Sequence, residues 1–143
     1  KCLAQIAEYA AQKNVQLGIE SRHSYEEIPN ESEMVEVLNE FNIPSVGYWH
    51  DFGHVQLKHN LGLLDHAQWL ETISPHLIGA HVHDVKWPAS DHRPPFTGTL
   101  DYAELFKFFP KNCPLVWEIN PGHDAAKIKA ALEKWRELLP ERD

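Results

Sequence analysis

Four short apolar runs, Val15 to Ile19, Ser45 to His50, Leu77 to Val82 and Leu115 to Ile119, alternate along the chain with stretches of helical periodicity. Short, nearly continuous apolar strands separated by amphipathic helices indicate parallel strands covered by helices and joined by right-handed crossovers. The first helix is read from Leu3, Ile6, Ala7 and Ala10, stopped by the polar turn at Lys13 and Asn14. Asn30 with Glu33 resembles a capping box ahead of the stripe Met34, Val35, Val37, Leu38 and Phe41, which ends before Pro44. Asp65 with Gln68 opens a helix bearing Trp69, Leu70 and Ile73. Asp101 with Glu104 caps another through Leu105, Phe106 and Phe109, closed by Pro110. The last is expected from about Asp124 and carries Ile128, Leu132, Trp135 and Leu139.

A doubly wound sheet and a barrel both fit this alternation. An eight-unit barrel needs about 250 residues, so four units in 143 residues amount to half of one. No Gly/Pro/Ser linker divides the chain, and residues 1–143 are expected to form a single domain. The chain starts at Lys1, without an initiator methionine and already in helical periodicity, as a fragment of a longer protein would. The loop from Trp87 to Gly98 is the only one rich in turn residues, and a loop of that length after a strand is more often functional than idle.

Each strand finishes in a potential ligand: Glu20, Asp51, His81 and Glu118, at intervals of 31, 30 and 37 residues. Neighbouring parallel strands end at one edge, so these four groups should converge at the C-terminal face, where barrel enzymes place their chemistry. Strand alternation supports this, since Gly18 and Glu20, His81 and His83, and Val116 and Glu118 pair on common faces. Three carboxylates gathered without a cation would repel, and one divalent metal ion would neutralise them. One imidazole with three carboxylates is an oxygen-rich set suited to Mn or Mg and acceptable to Zn or Co. His54, three residues after Asp51, and His83, Lys86 and His92 are candidates for substrate contact.

The formal net charge of -8 makes nucleic acid an unlikely partner. No apolar run reaches the roughly 18 residues of a membrane span, and no signal peptide is visible, so a cytoplasmic address is the expectation. Cys2 and Cys113 have no metal-ligand spacing and read as small apolar residues.

The run LGIES, then HDFGH, then GAHVHDVKWPASDHRPPFTGTLDY, then VWEINP resembles the sugar isomerase/epimerase superfamily of xylose-isomerase-like TIM barrels over essentially the whole chain. The resemblance implies strands 5 to 8 of a (β/α)8 barrel, the C-terminal half, with Glu20, Asp51, His81 and Glu118 as the divalent-metal ligands. It implies an isomerase or epimerase of a small sugar or sugar derivative. Glu20 and Glu118 would move protons on either side of a metal-bound enediolate, and His54 would approach the substrate. The family's PGxG turn stands here as PPFTG. Two alternatives share the frame, an inosose-type dehydratase and an apurinic endonuclease with a multi-metal cluster for which Asp91 and His92 are candidates; a third reading, from a different class, is a non-catalytic half-barrel. Four parallel strands alone leave open edges, which calls for the missing N-terminal half or a homo-oligomeric partner.

Overall fold

The computed structural model describes residues 2–41 and 43–139. The elements run α1 (Cys2–Gln12), β1 (Leu17–Glu20), α2 (Glu31–Phe41), β2 (Val46–Asp51), α3 (Phe52–Asn60), α4 (His66–Ile73), β3 (Leu77–Val82), β4 (Asp84–Lys86), β5 (Ser90–Arg93), α5 (Tyr102–Leu105), β6 (Leu115–Trp117) and α6 (Ala125–Leu138). Four strands form a parallel sheet in the order β1-β2-β3-β6, and β4 pairs antiparallel with β5 in a separate hairpin. Glu20 stands beside Trp49, Asp51 beside His81 and His81 beside Val116, so the strand-end candidates step across the sheet, with Glu20 two residues short of Asp51 and Glu118 two residues beyond the partner of His81. This is the parallel α/β arrangement expected from the alternation, with the four units that the resemblance implies for half of a barrel.

The caps read from the sequence form. Asn30 Oδ1 accepts the Glu33 N–H at 3.1 Å while Glu33 Oε2 accepts the Asn30 N–H at 2.9 Å, a reciprocal box. Asp65, Asp101 and Asp124 cap α4, α5 and α6 in the same role. The helix expected through Phe109 is shorter. It gives way after Leu105 to a 3-10 turn at Phe106–Phe108, and Phe109 is extended because a residue before proline is pushed out of the helical region.

Two elements escaped the periodic reading. Helix α3 follows β2 with no loop, and Phe52, Gly53, Val55, Gln56, Leu57 and Lys58 are all buried, so it shows no one-sided apolar stripe. The segment expected as a loop from Trp87 to Gly98 carries β5, which pairs back on β4 just before it to make a hairpin. Its base is fastened by the buried Asp84, whose carboxylate accepts the N–H groups of Val85, Gly98 and Leu100 at 2.8, 2.9 and 3.2 Å. Burial raises the Asp84 pKa, although these backbone donors pull the other way.

The apolar core fills the space between the outer face of the sheet and the helices, with Tyr48, Phe52, Leu70, Ile73, Val82, Phe106 and Trp135 among its members. On the opposite, inner face Trp49 lies across its neighbours: a Cβ on Gly79 would overlap the six-membered ring, and one on Gly18 would come within 2.9 Å of the Trp49 Cβ. Val116 on that face is 48% exposed, as expected of a barrel interior with half its wall present.

A hydrogen-bond relay runs through this core. Trp69 Nε1–H donates to Tyr48 Oη at 3.0 Å, Tyr48 O–H to His50 Nδ1 at 3.1 Å, His50 Nε2–H to His66 Nε2 at 3.1 Å, and His66 Nδ1–H to Gln56 Oε1 at 2.8 Å. The direction is set from the far end: Gln56 Oε1 can only accept, so with both buried imidazoles neutral His66 Nδ1 carries its proton, His66 Nε2 accepts from His50, and His50 Nδ1 accepts from Tyr48. Burial holds His50 down at about 3 and His66 well below the usual histidine range. Because the unfolded chain takes up these protons near pH 6.5, stability is complete above that pH and falls between it and the folded pKa. From pH 7 to pH 5 the His50 contribution alone should fall by about 2 kcal/mol, with His66 adding in the same direction. Urea unfolding at the two pH values checks this, and equal stabilities would contradict a neutral pair.

Candidate metal centre at the strand ends

The C-terminal ends of the four parallel strands deliver one side chain each. Glu20 ends β1, Asp51 ends β2, His81 is the penultimate residue of β3, and Glu118 directly follows β6, its N–H donating to Val82 O at 3.2 Å. One ligand atom from each lies within 4.8 Å of every other. His81 Nδ1 is at the centre, 2.8 Å from Glu20 Oε1, 3.3 Å from Glu118 Oε2 and 3.7 Å from Asp51 Oδ2.

Asp51 is the most constrained of the four. Its side chain is fully buried, its N–H donates to Ser21 Oγ at 2.8 Å, and its Oδ1 accepts the His54 N–H at 2.8 Å as the N-cap of α3. Its Oδ2 is buried without a hydrogen-bond partner among the described residues. Burial pushes the carboxyl pKa up, but the His83 ring and the His54 N–H bring it down to about 2, so it is ionised at neutral pH. A buried carboxylate oxygen with no donor is costly. A divalent cation among three carboxylates and one imidazole removes that cost, and the donor set fits such an ion.

The residues expected near substrate fall into different places. His54 Nδ1 donates to Ser21 O at 2.9 Å, which leaves Nε2 as its free nitrogen. His92 is half-buried on the hairpin, its Nε2 3.7 Å from Glu118 Oε1 and its Nδ1 3.2 Å from Asp91 Oδ1. Lys86 is exposed beside the hairpin tip, and among the described residues it enters none of the bonds that join the histidines to the carboxylates. His83 is fully buried, with Nε2 2.9 Å from Asp51 Oδ1. Burial lowers its pKa, but Asp51, with Asp91 and Glu118 farther off, turns the net shift upward.

Two neighbours of the site, Ser21 and His23, had no signal in the sequence. Ser21, the buried residue after Glu20, braces both Asp51 and His54. His23 lies 3.3 Å from Asp91 Oδ2 and edge-on to His54, and Asp91 also touches His92. Nothing in local spacing joins residues 23, 54 and 91. Only the hairpin's return over the strand ends does.

His54, His83 and His92 also bring ring nitrogens within 4.8 Å of one another. His83 is a poor ligand in that group. Its Nδ1 accepts the backbone N–H of His92 at 2.9 Å, so Nε2 carries the proton, and ligation there would require an imidazolate.

Parallel strands with covering helices, carrying potential cation ligands at their C-terminal ends, define half of a TIM barrel with its site on the usual face. The chain belongs to the xylose isomerase-like TIM barrel family, whose model matches residues 1–138. No curated protein sequence matches it. Among solved structures, it is similar to the 3-keto-D-glucoside 4-epimerase YcjR of E. coli, at 21% identity and TM-score 0.74, over 94% of this chain and 51% of that one. A D-tagatose 3-epimerase-like protein matches at 17% identity and TM-score 0.75, over 98% and 52% of the two chains. D-psicose 3-epimerase matches at 18% identity and TM-score 0.72, over 96% and 54%. The chain thus spans about half the length of these structures. No helix among the described residues is long and apolar enough to cross a membrane.

Proposed function

We propose that this chain supplies the C-terminal half of the catalytic barrel of a divalent-metal-dependent isomerase or epimerase acting on a small sugar or sugar derivative. The observation that carries the reading is the meeting of Glu20, Asp51, His81 and Glu118 around the buried, unpartnered Asp51 Oδ2. One divalent ion, Mn or Mg before Zn or Co, would be held by these four residues. When bound, it supplies Lewis-acid stabilisation of negative charge on substrate oxygens.

The chain's own residues do the proton work. Glu20 and Glu118 are partly exposed on either side of His81, where a carboxylate oxygen of one can remove a proton from a carbon beside a carbonyl and the other can return one. His54 offers Nε2 to a substrate hydroxyl, its ring oriented by the Ser21 carbonyl. His92 borders Glu118 from the hairpin, and Lys86 is retained as a contact for an anionic substrate group. In this reading His83, a candidate for substrate contact by sequence, acts from behind Asp51, with its Nε2 facing Oδ1.

The remaining wall of the barrel comes from a preceding half of the same polypeptide or from a second chain. Similarity to sugar epimerases at this identity supports the fold, and the ligand cluster extends it to the chemistry. The deciding experiment is a panel of ketoses, inososes and keto-sugar derivatives with Mn, Mg and Co, on a protein that includes the other half of the barrel. Metal-dependent interconversion is expected and should disappear in Glu118→Gln. No turnover on any member would count against the reading. Release of water instead would place the same proton abstraction in a dehydratase, and about three ions per barrel with cleavage of abasic DNA would replace it with the endonuclease.

A further inference from the structure

The β4–β5 hairpin does more than border the cluster, because one of its bonds settles the tautomer of a buried ring. His83, between β3 and β4, is fully buried. Its Nδ1 faces the His92 N–H at 2.9 Å and its Nε2 faces Asp51 Oδ1 at 2.9 Å. A backbone N–H can only donate, so Nδ1 accepts and the ring proton sits on Nε2, toward the carboxylate. The ring has little room to turn. It stacks on His92 at 4.2 Å and 10°, stands edge-on to His54 at 5.9 Å, and fills the space a Cβ on Gly53 would need.

The hairpin is itself tethered. His92 adopts φ 51°, a left-handed conformation that costs a non-glycine residue about 1 to 2 kcal/mol. Its carbonyl accepts the N–H of Asn120 at 2.9 Å, two residues beyond Glu118. A continuous set of contacts therefore runs from the loop after β6, through His92 and His83, to the carboxylate that ends β2.

We infer that His83 is a positioning residue: it engages Asp51 Oδ1 together with the His54 N–H, so that Oδ2 alone is presented to the cation. The inference rests on the cation reading above. The Nε2 to Oδ1 approach is close but not aligned as a linear hydrogen bond. What the site requires there is a buried N–H dipole beside Oδ1 rather than an imidazole as such. Residues that orient metal ligands in this way are worth about 10 to 100-fold in metal affinity.

The test is a Mn2+ titration of the full chain, followed by the electron paramagnetic resonance signal of the free ion, in the wild type, His83→Leu, His83→Asn and His83→Gln. Glutamine places an amide N–H near the Nε2 position, whereas asparagine reaches only the Nδ1 position and leucine supplies neither. Affinity should fall about 10 to 100-fold in the leucine and asparagine variants and be largely restored in the glutamine variant. Leucine or asparagine variants that bind like the wild type would overturn the inference, as would a glutamine variant no better than leucine. A wild type that binds none of Mn, Mg, Zn or Co would overturn the cation reading and this inference together. Should the variants fail to fold, nitrogen-15 histidine spectra of the wild type decide the point. Read above the titration of the ring, the Nε2–H tautomer is expected at His83, and an Nδ1–H tautomer would refute it.

Discussion

Asp51→Asn should lower Mn2+ affinity by at least about 100-fold while leaving the fold intact. A unit charge at contact distance is worth about 4 kcal/mol in a medium of intermediate dielectric, and the ion carries two charges, so a hundredfold loss is a lower bound. The substitution separates binding from structure because Asp51 has two roles on two oxygens. Oδ1 caps α3 through the His54 N–H, and Oδ2 is the buried atom without a partner. Asparagine is as good an N-cap as aspartate, so the helix keeps its start and only the charge is lost. Isothermal titration with Mn2+ beside a thermal melt of the ion-free protein checks both halves. Unchanged affinity would mean that Asp51 does not face the cation.

Glu31→Ala should destabilise the protein by about 3 to 5 kcal/mol, the range for stranding one member of a buried ion pair. Lys58 on α3 has a side chain that is 1% exposed, and its Nζ lies 2.6 Å from Glu31 Oε1 at the start of α2, itself 19% exposed. Removing the carboxylate leaves the buried ammonium without its hydrogen-bonded counter-charge. Adding Lys58→Met should recover most of the loss, since an apolar side chain of similar length tolerates that environment. Urea denaturation of the two single variants and the double variant measures the coupling. Additive losses would show that the pair is not held in the buried state. The pair also bears on the site, because α3 begins at Asp51 and carries His54 in its first turn.

Much of this was legible from residue order. The reciprocal Asn30 and Glu33 box, the aspartate caps of α4, α5 and α6, and the span of β3 follow from local rules that depend on a few neighbouring residues. Strand boundaries drifted by one or two residues, as at β1, which starts at Leu17 rather than Val15 and ends on Glu20. Helix α3 was illegible for a physical reason: it is buried nearly all round, and even its lysine is inside, so the polar and apolar alternation that marks a surface helix is missing. The hairpin hid behind prolines and polar residues because its pairing is short and its anchor, Asp84, is a buried acid that composition assigns to solvent.

The sequence by itself determined the parallel α/β architecture and the four strand-end positions, because strand phase and a repeat near thirty residues place Glu20, Asp51, His81 and Glu118 at one rim wherever the strands are parallel neighbours. Only the tertiary structure decided what surrounds them: that Ser21 braces Asp51, that His83 turns away from the open face, and that His92 returns over Glu118 from the hairpin. Backbone periodicity fixes which side of a strand a residue faces. The direction of an individual lone pair depends on donors that arrive from distant segments, and those meet only when the chain is folded.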